Sequence, residues 1–413
     1  MDNVIIACAS TAGTGARSVL RDEAIPRQKK VDKFPGSYQP PVAKFTPAAS
    51  FFLILALLGM VACSPGKPAT SIIPSTPATS PATQTLIRPA PTQPDTATPT
   101  LTRTTAPTPT FQVTLDAVGD IMLARTVGDQ ILAQGPQIIF AGVRSVLDSA
   151  DLRVGNLECS ITASDTPEKK TFPLKAPLQA VQALSLAKFD LLSLANNHSM
   201  DYGYAGLVDT QNALSQSGIA TVGAGSNVSA AHSPVFIDRN GLRLAFLAYA
   251  DVLPENSGFD PRTWVATQTQ PGIAWADPSQ IKADVTAAKL RADLVVVLLH
   301  SGYEINSTVS FNQRTEAHAA IDAGAALVLG SHPHILQGIE QYHGGLIAYS
   351  LGNFVFDQYK GVVNATIILR VVLDRSGVVS HDYFPVLIDN GLPHLITEQD
   401  APAIGTLIAP LNP

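Results

Sequence analysis

The chain from Phe111 onward reads as an α/β domain with much parallel pairing. Two observations predict this: apolar runs of strand length alternate with amphipathic segments of helical length, and turn signals separate them. A third observation concerns the ends of those runs, where carboxylates, carboxamides and imidazoles gather. The first 110 residues are of a different kind, rich in Pro, Thr, Ser and Ala.

The first strand is read over Phe111 to Val118, where Val113, Leu115 and Ala117 alternate with polar neighbours and Gly119-Asp120 comes next. Further runs are Leu152 to Val154, Leu191 to Ala195, Leu242 to Tyr249, Leu294 to Leu299, Leu327 to Leu329 and Leu346 to Tyr349. Helices are predicted at Leu178 to Ala187, Gly206 to Ser217, Ser279 to Arg291 and Asn312 to Ala323. Asn364 to Leu373 and Val378 to Ile388 read as an antiparallel pair closed near Arg375-Ser376-Gly377. A stretch of roughly 300 residues approaches the limit of one hydrophobic core, so one large domain is expected over 111–391, with 392–413 as a tail. Gly223-Ala224-Gly225 lacks the full glycine fingerprint of a nucleotide site and reads as a turn.

The first 110 residues divide into three. Ala48 to Ala62 (AASFFLILALLGMVA) is an uncharged apolar run with Cys63 directly after it, too short for a comfortable membrane span and suited to a secretory signal. The run with Cys63 resembles a bacterial lipoprotein signal, although Met60 departs from the usual Leu; an uncleaved anchor is the alternative. Residues 1–47 then have no evident role and read as an extension ahead of a downstream start. Residues 64–110 cannot bury enough apolar surface to order themselves and read as an extended Pro/Ser/Thr spacer. Either form of anchor places the folded domain outside the cytoplasm, tethered to the cell membrane. Net charge is −6 with a pI near 5.8, which offers no basic surface to nucleic acid. Of the three cysteines only Cys159 lies in the folded part, where it reads as a small buried apolar residue.

The chemistry lies in the polar residues at the end of each run. Asp120 stands after the first, Asn156 and Glu158 after the second, and Asn197 and His198 after the third. His300, then His332 and His334, then Asn353 stand after the later ones. The carboxyl ends of parallel strands open on one crevice. Four of the nine histidines stand at such ends, two of them in His-Pro-His, and that donor set suits a divalent metal ion. Asp201 could orient the His198 ring and Glu304 that of His300; each reads equally as a cap or surface acid. Arg125, near Asp120, reads equally as an anion clamp and as a surface arginine.

The runs GDIMLAR (119–125), GNLE (155–158), LANNHSMDYG (194–203), HSGYE (300–304), GSHPHILQG (330–338) and YSLGNFVFDQ (349–358) resemble, in order, the motif series of poly-γ-glutamate capsule biosynthesis (CapA-like) proteins. That family is in turn similar to calcineurin-type metallophosphoesterases, which implies a four-layer α/β/β/α sandwich around a two-metal centre; Mn, Zn, Fe and Ca are the candidate ions. The resemblance implies that Asn197, His300 and His332 hold one ion, with Asp120 and His334 toward the other. It makes His198 a proton donor and gives the anionic bridging or water-orienting role to Glu158, since Asn156 stands where the phosphoesterases carry Asp. Met122 stands where they carry His, so one metal position is poorer and a single-metal centre stays open. Ser301 replaces the family's usual Trp and is expected in the pocket wall. The implied substrates are phosphoesters or γ-glutamyl amides, small or within an anionic polymer. A non-catalytic polymer-binding role in export or anchoring, within a capsule-synthesis membrane complex, is the rival.

Overall fold

The computed structural model describes residues 111–357, 364–397 and 409. The extension 1–47, the apolar run, Cys63 and the spacer 64–110 lie outside the described residues.

Two sheets carry the domain. In the eight-stranded sheet Val113–Ile121 is flanked on one side by the parallel strands Leu152–Leu157, Leu191–Ser193 and Ala220–Val222. On its other side run the antiparallel strands Ala365–Asp374, Gly377–Asp389 and Leu392–Leu395. Asn353–Val355 pairs in parallel with the carboxyl end of Val113–Ile121, setting Asn353 opposite Asp120. The six-stranded sheet has four parallel strands, Leu242–Asp251, Leu294–Ser301, Leu327–Ser331 and Gly345–Ala348. Antiparallel edges Val235–Arg239 and Ile339–Tyr342 close it.

Parallel strands are buried on both faces, which is why they stand out as continuous apolar runs. In the six-stranded sheet the alternation is explicit. Leu244, Phe246, Val296 and Leu298 join the core shared with the eight-stranded sheet. Ala245, Leu247, Val295 and Val297 instead pack with Ile281, Val285, Ala317 and Ala320. Those last four come from helices Pro278–Lys289 and Phe311–Asp322. The first starts at Pro278 with the Asp277 carboxylate accepting from the amides of Ser279 and Gln280. The second starts with a reciprocal Ser310–Gln313 capping box. Helices Ala180–Leu186 and Gly203–Gln216 send Ala183, Leu184, Leu207 and Leu214 into the core of the eight-stranded sheet.

Several expected boundaries move. The strands bearing Asp120, Asn156 and His300 run on through those residues, so the polar groups are the next-to-last members of strands rather than their successors. The sheet continues past Gly391, since Leu392–Leu395 pairs with Gly377–Asp389; this part of the expected tail is an edge strand. Ala224–Gly225 is a short strand paired with Gly272–Ile273, not a turn. Gly119 is required by close approach: the Asp120 amide donates to the Gly352 carbonyl at 2.9 Å, and a Cβ on Gly119 would collide with that oxygen. That contact brings the 349–353 segment beside Asp120.

Candidate metal centre

From the eight-stranded sheet come a carboxylate pair and a network of amides. Asp120, Asn156 and Glu158 are buried. The Asn156 Nδ2 donates to Asp120 Oδ1 at 2.8 Å, and its Oδ1 accepts from Asn196 Nδ2 at 3.0 Å. Asn196 Oδ1 in turn accepts from the His198 amide at 2.9 Å and from Ser199 Oγ at 3.0 Å. A buried asparagine that spends all of its hydrogen-bonding capacity this way fixes its neighbours. Asn197 and His198 are therefore presented from a turn held by side-chain hydrogen bonds.

From the six-stranded sheet come the imidazoles. His300 Nε2 lies 2.9 Å from Asn197 Oδ1, while its Nδ1 lies 3.0 Å from Ser331 Oγ and 3.2 Å from Asn156 Nδ2. His334 Nδ1 lies 2.9 Å from Asn353 Oδ1 and 3.3 Å from Asp120 Oδ2. The His332 amide donates to Asp120 Oδ2 at 3.2 Å. His332 and His334 have φ of 91° and 58°, a left-handed conformation that costs non-glycine residues about 1–3 kcal/mol each. Strain of this kind persists where surrounding structure imposes it, and here it turns both rings of His-Pro-His toward the carboxylates.

Whether these residues suit a cation can be tested on Glu158. Its side chain is fully buried, and among the described residues neither carboxylate oxygen has a hydrogen-bond partner. Around Oε1 stand three imidazole nitrogens, His334 Nε2 at 3.8 Å and His198 and His300 Nε2 at 3.9 Å each. Burial, then the Asp120 charge, pushes the Glu158 carboxyl well above the usual carboxylate range. An orphaned buried carboxylate is costly unless it takes up a proton or a cation stands beside it. Burial also pulls His300 and His332 well below the usual histidine range, reinforced by their neighbouring histidines. Both shifts favour the neutral imidazole, which has a lone pair to give. His332 Nδ1 is a second buried atom with no partner among the described residues. The donors fall into two groups, each with ligand atoms within 4.8 Å of one another: Asp120, Glu158 and His300, and Glu304, His332 and His334. The set fits a divalent ion.

A cavity of about 310 Å³ opens over Asn197, His198 and His332, walled by Phe172, Glu255 and Tyr303. His198 Nδ1 lies 2.7 Å from Asp201 Oδ2, so its Nε2 is the atom left for the site. Asp201, one of the two carboxylates expected behind a histidine, is thus in contact with its ring. Burial, partly offset by Asp201, lowers the His198 pKa.

Three expectations are corrected. Glu304 is not behind His300; the turn at Gly302 (φ 116°) carries it to His332 and His334. Arg125 stands apart from the centre: its backbone turns at φ 51° and its guanidinium pairs with Asp357 and lies over the Phe356 ring. Ser301 does not wall the cavity, because its hydroxyl points to the helix side and donates to Glu316 Oε2 at 2.8 Å. Met122, as its chemistry demands, is buried in the core. Burial pushes the Cys159 thiol up to about 12, leaving it an inert buried group.

Two residues escaped sequence reasoning. The doubled asparagine of LANNHS was the sole hint of Asn196. Lys170 gave none, yet its side chain is fully buried, with Nζ 2.6 Å from the Asn197 carbonyl, 2.8 Å from Asp201 Oδ1 and 2.9 Å from Glu255 Oε1. It also lies 5.1 Å from the ring centroids of both Phe259 and Trp264. One ammonium thus joins the His198–Asp201 pair to the Leu253–Trp264 side of the cavity.

Comparison with known proteins agrees with the ordered motifs. The profile of the family described as "Bacterial capsule synthesis protein PGA_cap" matches residues 114–358. The chain is 34% identical over 294 residues to the capsule biosynthesis protein CapA of Bacillus anthracis, covering 69% of this chain and 70% of that one. It is also 34% identical over 279 residues to the PGA biosynthesis protein CapA of Bacillus subtilis, covering 67% and 72%. A solved structure of a hypothetical protein from Thermus thermophilus superposes with a TM-score of 0.42 at 15% identity, covering 66% of this chain and 98% of that one. A likeness that loose says nothing of chemistry. The family match spans every residue of both donor groups, and the chain belongs to the bacterial capsule synthesis protein (PGA_cap) family.

Proposed function

We propose that this protein is a divalent-metal-dependent hydrolase of capsule biosynthesis, acting on phosphoester or γ-glutamyl bonds from a metallophosphoesterase-like α/β/β/α scaffold. The observation that carries the reading is Glu158, a fully buried carboxylate with no hydrogen-bond partner among the described residues and three imidazole nitrogens around one oxygen. Asp120, Glu158, Asn197, His300, His332 and His334 would hold the metal. Three imidazoles among them suit Mn, Fe or Zn better than Ca, which prefers oxygen. An ion held there would supply Lewis acidity and lower the pKa of its water toward neutrality.

The chain's own residues do the rest. His198, held through Nδ1 by Asp201, keeps Nε2 toward the centre, where it can hand a proton to the leaving atom. Asp201 is fixed in turn by Lys170 and by the Leu174 amide, 2.6 Å from Oδ2. Asp120 and Glu158 balance charge, and Glu158 orients the attacking water. His198→Ala should therefore keep its metal and fold while losing hydrolytic rate by roughly 10²–10⁴-fold. Full capsule or polymer display by that variant would sink the catalytic reading. It would favour a non-catalytic, metal-dependent binder of the anionic polymer in export or anchoring, within a capsule-synthesis membrane complex. The buried thioether at Met122, which leaves one donor fewer, is the observation on that rival's side.

The site belongs outside the cytoplasm in this reading, with Cys63 lipidated, residues 64–110 spanning the gap to the membrane, and two or more acyl chains needed for stable anchoring. A fatty-acid analogue should label the wild type and not Cys63→Ser. Absence of label on a membrane-bound wild type would favour an uncleaved anchor.

A further inference from the structure

The loop after His300 is built rather than slack. Beyond Gly302, the Ile305 amide donates to the Pro333 carbonyl at 2.9 Å, fastening the loop to the middle of His-Pro-His. Gln337 Nε2 donates to the Asn306 carbonyl at 2.8 Å and holds the loop a second time. Ile305 has φ of 55°, an outlier for a β-branched side chain. Three left-handed non-glycine residues, Ile305, His332 and His334, thus meet at one place. Strain concentrated there has a consequence in common: it sets the Glu304 carboxylate and the imidazoles of His332 and His334 within 4.8 Å of one another. His332, whose buried Nδ1 has no hydrogen-bond partner among the described residues, belongs to the same group.

We infer that Glu304 is a metal ligand which, with His332 and His334, completes a second cation position beside that of Asp120, Glu158 and His300. The inference rests on the metal-centre reading above and deepens it. Two imidazoles and one carboxylate are an ordinary donor set for a borderline divalent ion. The two positions adjoin, because His334 Nε2 lies 3.8 Å from Glu158 Oε1. Glu304 supplies an anionic ligand from the cavity wall. Asp120 and Glu158 are sealed from solvent whereas Glu304 is exposed, so the ion held by Glu304 is the more weakly bound and faces the substrate.

The test titrates metal-stripped, full-length protein with Mn²⁺. Wild type should take up two equivalents and show the electron-spin signal of a coupled pair. Glu304→Gln, isosteric and exposed, should keep the wild-type thermal midpoint, retain the tight equivalent with a six-line mononuclear signal, and lose the second. Two equivalents at wild-type affinity in Glu304→Gln would overturn the inference, as would one equivalent in both proteins, and either result leaves the proposed function standing. No uptake by wild type would overturn both.

Discussion

The two sheets contribute to one centre in different ways. The eight-stranded sheet delivers Asp120, Asn156, Glu158, Asn197 and His198, and holds them by hydrogen bonds between side chains, with Asn156 and Asn196 as the links. The six-stranded sheet delivers His300, His332 and His334, and positions the last two by backbone strain, with only a few side-chain bonds. One half stores its precision in a satisfied polar network, the other in unfavourable φ angles. The difference predicts opposite responses to mutation: the networked half should lose stability when a member is removed, and the strained half should not.

The largest effect is expected at Lys170. Lys170→Met leaves the Asp201 and Glu255 carboxylates without their shared cation. Loss of one partner from a buried ion pair costs about 3–5 kcal/mol. A denaturant midpoint unchanged by this substitution would break the account of the networked half. The opposite sign is expected on the strained half. His332→Gly relieves a φ of 91° and removes an unpartnered buried nitrogen, which offsets the lost packing of the ring, so the metal-free protein should be no less stable. Metal affinity should fall in the same variant. Calorimetry showing a loss of several kcal/mol without metal would mean that His332 is a packing residue first.

Legibility in the sequence divides along similar lines. Parallel strands buried on both faces announce themselves as apolar runs, and histidines at their ends are conspicuous because the residue is rare. The edge strands Val235–Arg239 and Ile339–Tyr342 are partly exposed and carry mixed sequences, so no run marks them. Lys170 was illegible because its burial depends on Glu255, Phe259 and Trp264, about ninety residues away in the chain. Arg125 and Glu304 show how proximity in sequence misleads. Each lies within five residues of a ligand candidate, and in each case a left-handed residue sends the side chain elsewhere. Backbone sign changes of this kind leave no periodic trace.

The claim on which the rest depends is that the buried cluster is a metal centre. Elemental analysis of purified full-length wild type beside the His332→Ala/His334→Ala double variant tests it most directly, because the pair removes two imidazoles from a site whose affinity rests on ligand count. Bound divalent metal is predicted in the wild type, with at least the equivalent held by His332 and His334 gone from the double variant and both proteins folded. Equal metal content in the two would contradict it.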